Sequence, residues 1–301
     1  MDVMCSSNAT AWLAVAACAC ITAVVRRLRT PEHSSGTHNV CRRRRDCERA
    51  VEADVARRAA EVAARRSRRN VTVWLIRHAQ SVFNASKGDI HNGRHLDVEL
   101  SERGRREACA LGKRIGRCGI QFERVFASTA LRAQDTASIA MAAAGQHAVA
   151  VEVVAGIEEV SMGGWTGKRK VVCNTPLALA EREADAWEWR APRRCPETGL
   201  VGESYRDVEE RMVRFIERAV LPASESRAHD GATSIVAIFT HHCAIRCALR
   251  PLLEAAPLVL APKLSPRNTS ITELKYNAAA KGRKGGWSVV RVNDAAHLEG
   301  L

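Results

Sequence analysis

Hydrophobic positions along this 301-residue chain fall into two regimes. From Val71 onward, short apolar runs alternate with longer stretches in which apolar residues recur with a helical period. The short runs predict strands at 71–76, 123–127, 149–154, 234–239, 271–275 and 287–292. The periodic stretches predict helices at 101–117, 130–144, 174–189, 204–220 and 242–253. Strands alternating with helices of this length predict a three-layer α/β/α sandwich on a mainly parallel sheet. The short C-terminal strands are expected to pair antiparallel at an edge.

The first seventy residues follow a different pattern. Residues 11–25, "AWLAVAACACITAVV", are uncharged and apolar, and Arg26, Arg27 and Arg29 follow at once. The run is shorter than the ~20 residues needed to cross a bilayer, although Ala9, Thr10 and tilt extend it. A secretory signal carries positive charge before its apolar core, and only Asp2 precedes this one. Positive charge on the C-terminal side would keep the following domain cytoplasmic. A signal-anchor helix is the preferred reading, with a soluble Ala-rich helix or an atypical targeting peptide as alternatives.

Residues 31–39, "PEHSSGTHN", read as a linker. Residues 41–70 are Ala- and Arg-rich with high helix propensity, but only Val51, Val55 and Val62 enlarge their apolar face. They read as a solvated helix. The next reading is a polybasic segment on an anionic membrane surface, worth about 1 kcal/mol per Lys or Arg. Nucleic acid is disfavoured as a partner, because no aromatic residues are interleaved for base stacking. The expected organisation is an anchor or targeting segment over 1–30, a linker and basic helical arm over 31–70, an α/β domain over 71–293, and a tail over 294–301.

Charge adds to this division. The net charge is +13, and residues 26–69 hold fourteen Arg against six acidic residues. The basicity therefore concerns placement more than chemistry. The eleven Cys contain no C-x-x-C pair, which reads as reduced thiols facing the cytosol. Cys243 and Cys247 beside His241 and His242 lack a second ligand pair at zinc spacing, so no metal site is expected.

The candidate chemistry sits where strands end. "TVWLIRHAQSVFN" (72–84) runs from an apolar strand straight into Arg77 and His78. "SIVAIFTHHCAIR" (234–246) repeats the device with His241, then continues into a helix carrying Arg246. In "FASTALRAQDTA" (126–137), Ser128 is placed to cap a helix and Arg132 lies one turn inside. "GIEEVSMGGWTG" (156–167) puts two carboxylates before a Gly-rich turn. Singly these read as a structural His, a surface Arg and an acidic loop. Together they suit phosphoryl transfer. A neutral His attacks phosphorus, Arg side chains neutralise and hold the oxygens, a second His donates to them, and a carboxylic acid protonates the departing alkoxide.

The ordered set "LIRHAQSVFN", "SxxxRAxxTA", "IEExxxGxWxG", "GES" and "THHxxIR" resembles the histidine phosphatase superfamily, the phosphoglycerate-mutase-like enzymes, over roughly residues 71–292. The resemblance implies a histidine phosphatase domain over 71–293 with His78 as the phosphorylated nucleophile. Arg77 and Arg132 become the phosphate clamp, His241 the second pocket His, and Glu159 rather than Glu158 the proton donor. It also implies that Asn84 contacts phosphate, that the His242 N–H at a helix start suits an anion, and that Glu203 touches the pocket rim. His242 departs from the family's usual Gly and places an imidazole at the pocket mouth. The implied activity is metal- and cofactor-free hydrolysis of a phosphorylated small molecule or phosphoprotein. Mutase-type transfer, a bisphosphatase acting on a sugar diphosphate and a phosphate-reading pseudo-enzyme at a membrane are the alternatives. Lys168, Arg169, Lys170, Arg190, Arg193 and Arg194 are expected to meet an acidic substrate.

Overall fold

The computed structural model describes residues 49–50, 53–54 and 69–301, apart from 87–88, 197, 223–233, 253–263, 279 and 281–285. The chain divides into two units, Met1–Glu61 and Val62–Leu301. In the first unit the four described residues are helical. The apolar run 11–25 and most of the basic arm lie outside the described residues, and among those described no helix is long and apolar enough to cross a membrane.

The second unit is built on one six-stranded sheet. Its strands are β1 (Val71–Arg77), β2 (Arg124–Ser128), β3 (Val151–Val154), β4 (Ser234–Thr240), β5 (Ile271–Asn277) and β6 (Gly286–Asp294). Their order is β3-β2-β4-β1-β5-β6. The first four are parallel, and β5 and β6 join antiparallel at one edge, as expected from the sequence.

The helices are α1 (Val82–Ala85), α2 (Glu102–Arg117), α3 (Leu131–Ala143), α4 (Lys170–Cys173), α5 (Pro176–Ala184), α6 (Tyr205–Phe215) and α7 (His242–Leu252). Alternation along the two central strands sends side chains to opposite faces. Val71, Val73, Leu75, Val236 and Ile238 pack with Val208 and Met212 of α6 and Ile245 and Leu249 of α7. Trp74, Ile76, Ala237 and Phe239 pack with Leu111 and Ile115 of α2 and Ala137 and Met141 of α3. A sheet buried on both faces explains why β1 and β4 read as continuous apolar runs.

Two predicted helices differ in form. The expected helix 174–189 is shorter, Pro176–Ala184, because Thr175 accepts a bond from the Ala178 N–H as an N-cap, Pro176 opens the helix, and the chain leaves it at Asp185. The expected helix 204–220 starts with a Ser204–Asp207 capping box and becomes a π-turn at Ile216–Val220.

Candidate active site

Strand register brings the two histidines together. In the parallel pairing of β1 with β4, Arg77 stands opposite Thr240. The His78 N–H extends that ladder by donating to the Thr240 carbonyl at 2.9 Å. His78 and His241, each the next residue along, therefore leave the sheet side by side, with ring centroids 5.1 Å apart. In β2, Ala127 stands opposite Phe239, which delivers Ser128 to the same sheet edge.

The two rings are held differently. His78 Nδ1 lies 2.7 Å from the Ala79 carbonyl. A carbonyl only accepts, so Nδ1 carries the proton and Nε2 keeps its lone pair. Around His241, Arg132 Nη2 lies 3.3 Å from Nδ1, and Nε2 lies 2.8 Å from Ser128 Oγ. Guanidinium only donates, so Nδ1 accepts and Nε2–H donates to the serine. Both rings are pulled well below the usual histidine range, first by burial and then by the charge of Arg132. Both are neutral near pH 7. Ser128 was expected to cap α3; the residue at that N-cap is Ala130, which makes no side-chain cap bond. The serine hydroxyl is taken by His241 across 113 residues of chain.

Arg132 is 1% exposed, the largest fully buried side chain described. Nη1 donates to the His95 carbonyl at 2.6 Å and Nη2 to the Gly93 carbonyl at 3.2 Å, while Nε is buried without a partner. Gly93 makes that turn with φ +48, where a Cβ would come within 2.9 Å of Thr166 Oγ1. Burial brings Arg132 down to about 10, which leaves it charged at neutral pH. Arg77 donates through Nη1 to the Pro266 carbonyl at 2.8 Å, and its Nε is also buried and unpartnered. Buried Arg132 and half-buried Arg77, each with a free Nε–H, form with the two neutral imidazoles a receptor for a phosphoryl dianion.

Glu159 faces this receptor. Its carboxylate accepts from the N–H groups of Cys243 (3.1 and 3.2 Å) and Val160 (2.9 Å). Its charge acts on Arg77, Arg132 and His242. Glu158 turns elsewhere. It accepts from the Gly156 N–H and pairs with Arg211 and Arg94. The loop is anchored by Thr240 Oγ1, which donates to the Ile157 carbonyl at 2.6 Å. It turns at Gly163, where φ is +47 and a Cβ would meet the Arg193 carbonyl at 2.5 Å.

The remaining predicted residues divide. His242 begins α7 with Nε2 buried and unpartnered, and burial brings it down to about 4, helped by Arg77 and Arg246. The Asn84 Oδ1 accepts from the Ser81 N–H in a capping box, so the contact available to a ligand is through Nδ2. Glu203 holds Arg94 at 2.6 Å, Arg211 at 3.1 Å and the Ser161 N–H at 2.9 Å. Arg94 and Arg211 in turn donate to the Glu159 carbonyl. The structure thus places Glu203 behind Glu159, supporting its loop.

Several supporting residues carried no readable signal. Thr136 Oγ1 accepts from the Ala79 N–H and donates to the Arg132 carbonyl, tying the nucleophile's loop to the clamp. Asn268 donates to the His78 carbonyl at 2.8 Å from 190 residues away. Half of the expected basic set is engaged elsewhere. Arg169 pairs with Asp89, Arg190 with Asp207, and Arg194 bonds the Gly199 carbonyl. Among the described residues, no group of three His, Cys, Asp or Glu is placed to hold a metal ion.

Known proteins match this chain over the same region. A 2,3-bisphosphoglycerate-dependent phosphoglycerate mutase of Streptococcus gordonii is 30% identical over 156 residues, 52% of this chain and 65% of that protein. The chain thus spans less than two thirds of that relative's length. A solved structure named mycobacterial hydrolase 1 is 26% identical with a TM-score of 0.58, covering 75% of this chain and 98% of that one. A mycobacterial glucosyl-3-phosphoglycerate phosphatase has the same fold at 24% identity and a TM-score of 0.54, covering 75% of this chain and all of its own. The family model of the histidine phosphatase superfamily (branch 1) matches residues 73–295. With the match covering most of the chain, the protein belongs to the histidine phosphatase superfamily.

Proposed function

We propose that the protein is a phosphatase that hydrolyses a phosphate monoester through a phosphohistidine on His78. The observation that carries this reading is the 2.7 Å bond from His78 Nδ1 to the Ala79 carbonyl, which leaves Nε2 as the lone pair in a pocket with the unpartnered Nε–H groups of Arg77 and Arg132. In the first step Nε2 attacks phosphorus, a P–N bond forms, and the bond to the ester oxygen breaks. Glu159 takes up a proton as the substrate's dianion settles beside it and gives that proton to the departing oxygen. In the second step water attacks phosphorus, Glu159 takes the water's proton, and the P–N bond breaks to release phosphate. Arg77 and Arg132 hold the oxygens throughout, with Asn84 Nδ2 as a further donor. His241 joins them when an incoming oxygen draws Arg132 Nη2 away from Nδ1. A monoanionic ester then passes its remaining proton to Nδ1, Nε2–H stays on Ser128 Oγ, and the imidazolium donates from Nδ1 back to the phosphoryl oxygen.

The substrate class is a phosphorylated small molecule, the class on which the named phosphatase of the same fold acts. The test is phosphate release from a panel of phosphorylated metabolites and phosphopeptides, with acid trapping of the phosphoenzyme. Release and labelling that both disappear in His78→Ala support the reading; labelling that survives in that variant sinks it.

Mutase chemistry is the second reading, favoured by the curated relative's name. It differs in returning the phosphoryl group to a substrate hydroxyl rather than to water. Isomerisation of 3-phosphoglycerate in the presence of 2,3-bisphosphoglycerate, faster than phosphate release, would establish it. The proposed placement is a cytoplasmic domain tethered through residues 11–25, and it rests on the hydropathy and flanking charge of that run. Recovery of the full chain, but not of residues 70–301, in a washed membrane fraction tests it.

A further inference from the structure

Glu107 is a buried carboxylate of α2, 3% exposed, that takes no part in binding phosphate or moving a proton. Three residues at the start of that helix, each three positions apart, meet the backbone of Gln80. The Ser101 N–H donates to the Gln80 carbonyl at 2.9 Å. Gly104 lets the helix press close, since a Cβ there would collide with the same oxygen. Glu107 Oε2 accepts from the Gln80 N–H at 2.9 Å, and Oε1 accepts from Arg103 Nε at 3.1 Å. Arg103 is half exposed, so solvent weakens its hold on the carboxylate.

The Gln80 N–H is one end of a peptide whose other end is the Ala79 carbonyl, and that carbonyl accepts the His78 Nδ1–H at 2.7 Å. Resonance couples the two ends of a peptide. A carboxylate on the N–H draws electron density towards the carbonyl oxygen and makes it a stronger acceptor. Ala79 is fully buried, and hydrogen bonds in such a low-dielectric place polarise one another. The preceding peptide is held by uncharged partners, Asn268 on the His78 carbonyl at 2.8 Å and Thr136 Oγ1 on the Ala79 N–H at 2.9 Å. Those bonds fix where the loop lies. Glu107 adds charge.

We propose that Glu107 is a positioning residue for the nucleophile, acting through the Ala79–Gln80 peptide as the carboxylate partner of His78. This rests on the phosphohistidine reading of that ring. When Nε2 gives its lone pair to phosphorus, the ring takes on positive charge and Nδ1 keeps its proton. The bond from Nδ1–H to Ala79 tightens, the bond from the Gln80 N–H to Glu107 tightens with it, and the carboxylate balances the charge without accepting a proton. When the P–N bond breaks, the electron pair returns to Nε2 and the chain of bonds relaxes. Glu107 therefore favours the phosphoenzyme, speeding its formation and restraining its hydrolysis.

The test uses Glu107→Gln in the full chain with 4-nitrophenyl phosphate, whose leaving group needs no proton from Glu159. The glutamine keeps an acceptor for the Gln80 N–H and removes the charge. The burst of 4-nitrophenolate should slow by roughly tenfold, near the difference between a charged and a neutral acceptor. The quenched phosphoenzyme should decay as fast as in the wild type or faster, because a less basic nitrogen leaves phosphorus more readily. A distorted loop would slow both steps, so a parallel loss overturns the proposal, as does a burst of unchanged rate. The proton resonance of the His78 Nδ1–H needs no turnover and should move upfield in Glu107→Gln; a resonance that stays in place overturns the relay. A wild type that forms no phosphoenzyme would sink the phosphohistidine reading, and the resonance then decides the relay alone. If Glu107→Gln does not fold, Arg103→Gln, which frees the carboxylate of its counter-ion, should move the same resonance downfield. No movement there overturns the proposal equally.

Discussion

The ends of β1 and β4 make a direct comparison. Each is a buried apolar strand that stops at a histidine, and the two rings sit 5.1 Å apart with 3% and 0% exposure. His78 spends one nitrogen on a backbone carbonyl and keeps the other as a lone pair. His241 has both nitrogens engaged, one by Ser128 and one by Arg132. Burial makes both neutral, so charge does not distinguish them. The second ring nitrogen does. A ring with one free nitrogen can be a nucleophile, whereas a ring bonded at both is oriented to assist.

The largest effect should come from breaking the free side. His78→Ala is expected to lower turnover by roughly three orders of magnitude or more and to abolish phosphoenzyme labelling. His241→Ala should slow turnover by roughly 10²–10³, the range for losing one transition-state donor, while leaving labelling detectable. Rapid-quench labelling of both variants checks the assignment, and the opposite pattern would exchange the two roles.

Arg132→Lys comes next. An ammonium cannot reproduce the fork that reaches the Gly93 carbonyl, the His95 carbonyl and His241 at once. A loss of roughly a hundredfold in kcat/KM is expected, near the value of one preorganised donor. Full activity in the lysine variant would show that charge alone suffices.

Ser128→Ala sharpens the comparison further. It leaves His241 Nε2 unpaired in a fully buried place, at a cost of about 1–3 kcal/mol of stability by denaturant titration. Turnover should fall as well, whereas Ser128→Thr should restore part of it by keeping the hydroxyl. An alanine variant as active as the wild type would remove the serine from His241's role.

The smallest effect is pH dependence. The folded rings resist protonation, while the unfolded chain takes up protons near about 6.5. Stability from the neutral rings is therefore complete above that value and is lost as pH falls through it. Denaturant midpoints should decline from about pH 7 to about pH 5, while the acid limb of kcat should lie well below the usual histidine value. A kcat profile falling with a midpoint at about 6.5 would mean that His78 is more solvated than its surroundings imply.

Much of this was legible in the sequence. Hydrophobic period is a local property, so six strands, the antiparallel edge and the strand-then-histidine device at 77–78 and 240–241 could be read directly. The family resemblance implies Glu159 rather than Glu158 as proton donor, and in the structure the Glu159 carboxylate accepts from the Cys243 N–H in α7 while Glu158 pairs with Arg211. The partners of these groups were not legible, because each lies far along the chain. Ser128 reads as a helix cap within its own segment, and only the β2–β4 register hands it to His241. Glu203 reads as a rim residue, yet Arg94 and Arg211 hold it behind Glu159. The basic residues of the insertion look alike in sequence. Tertiary pairing engages Arg169 with Asp89 and Arg190 with Asp207, partners that no local pattern announces.

The sequence by itself determined which residue types stand at the strand ends, since burying a strand fixes where its apolar run must stop. The tertiary structure decided what each of those residues does. Hydrogen-bond capacity and charge are assigned by neighbours in space, and here those neighbours come from register and loop closure across a hundred residues or more.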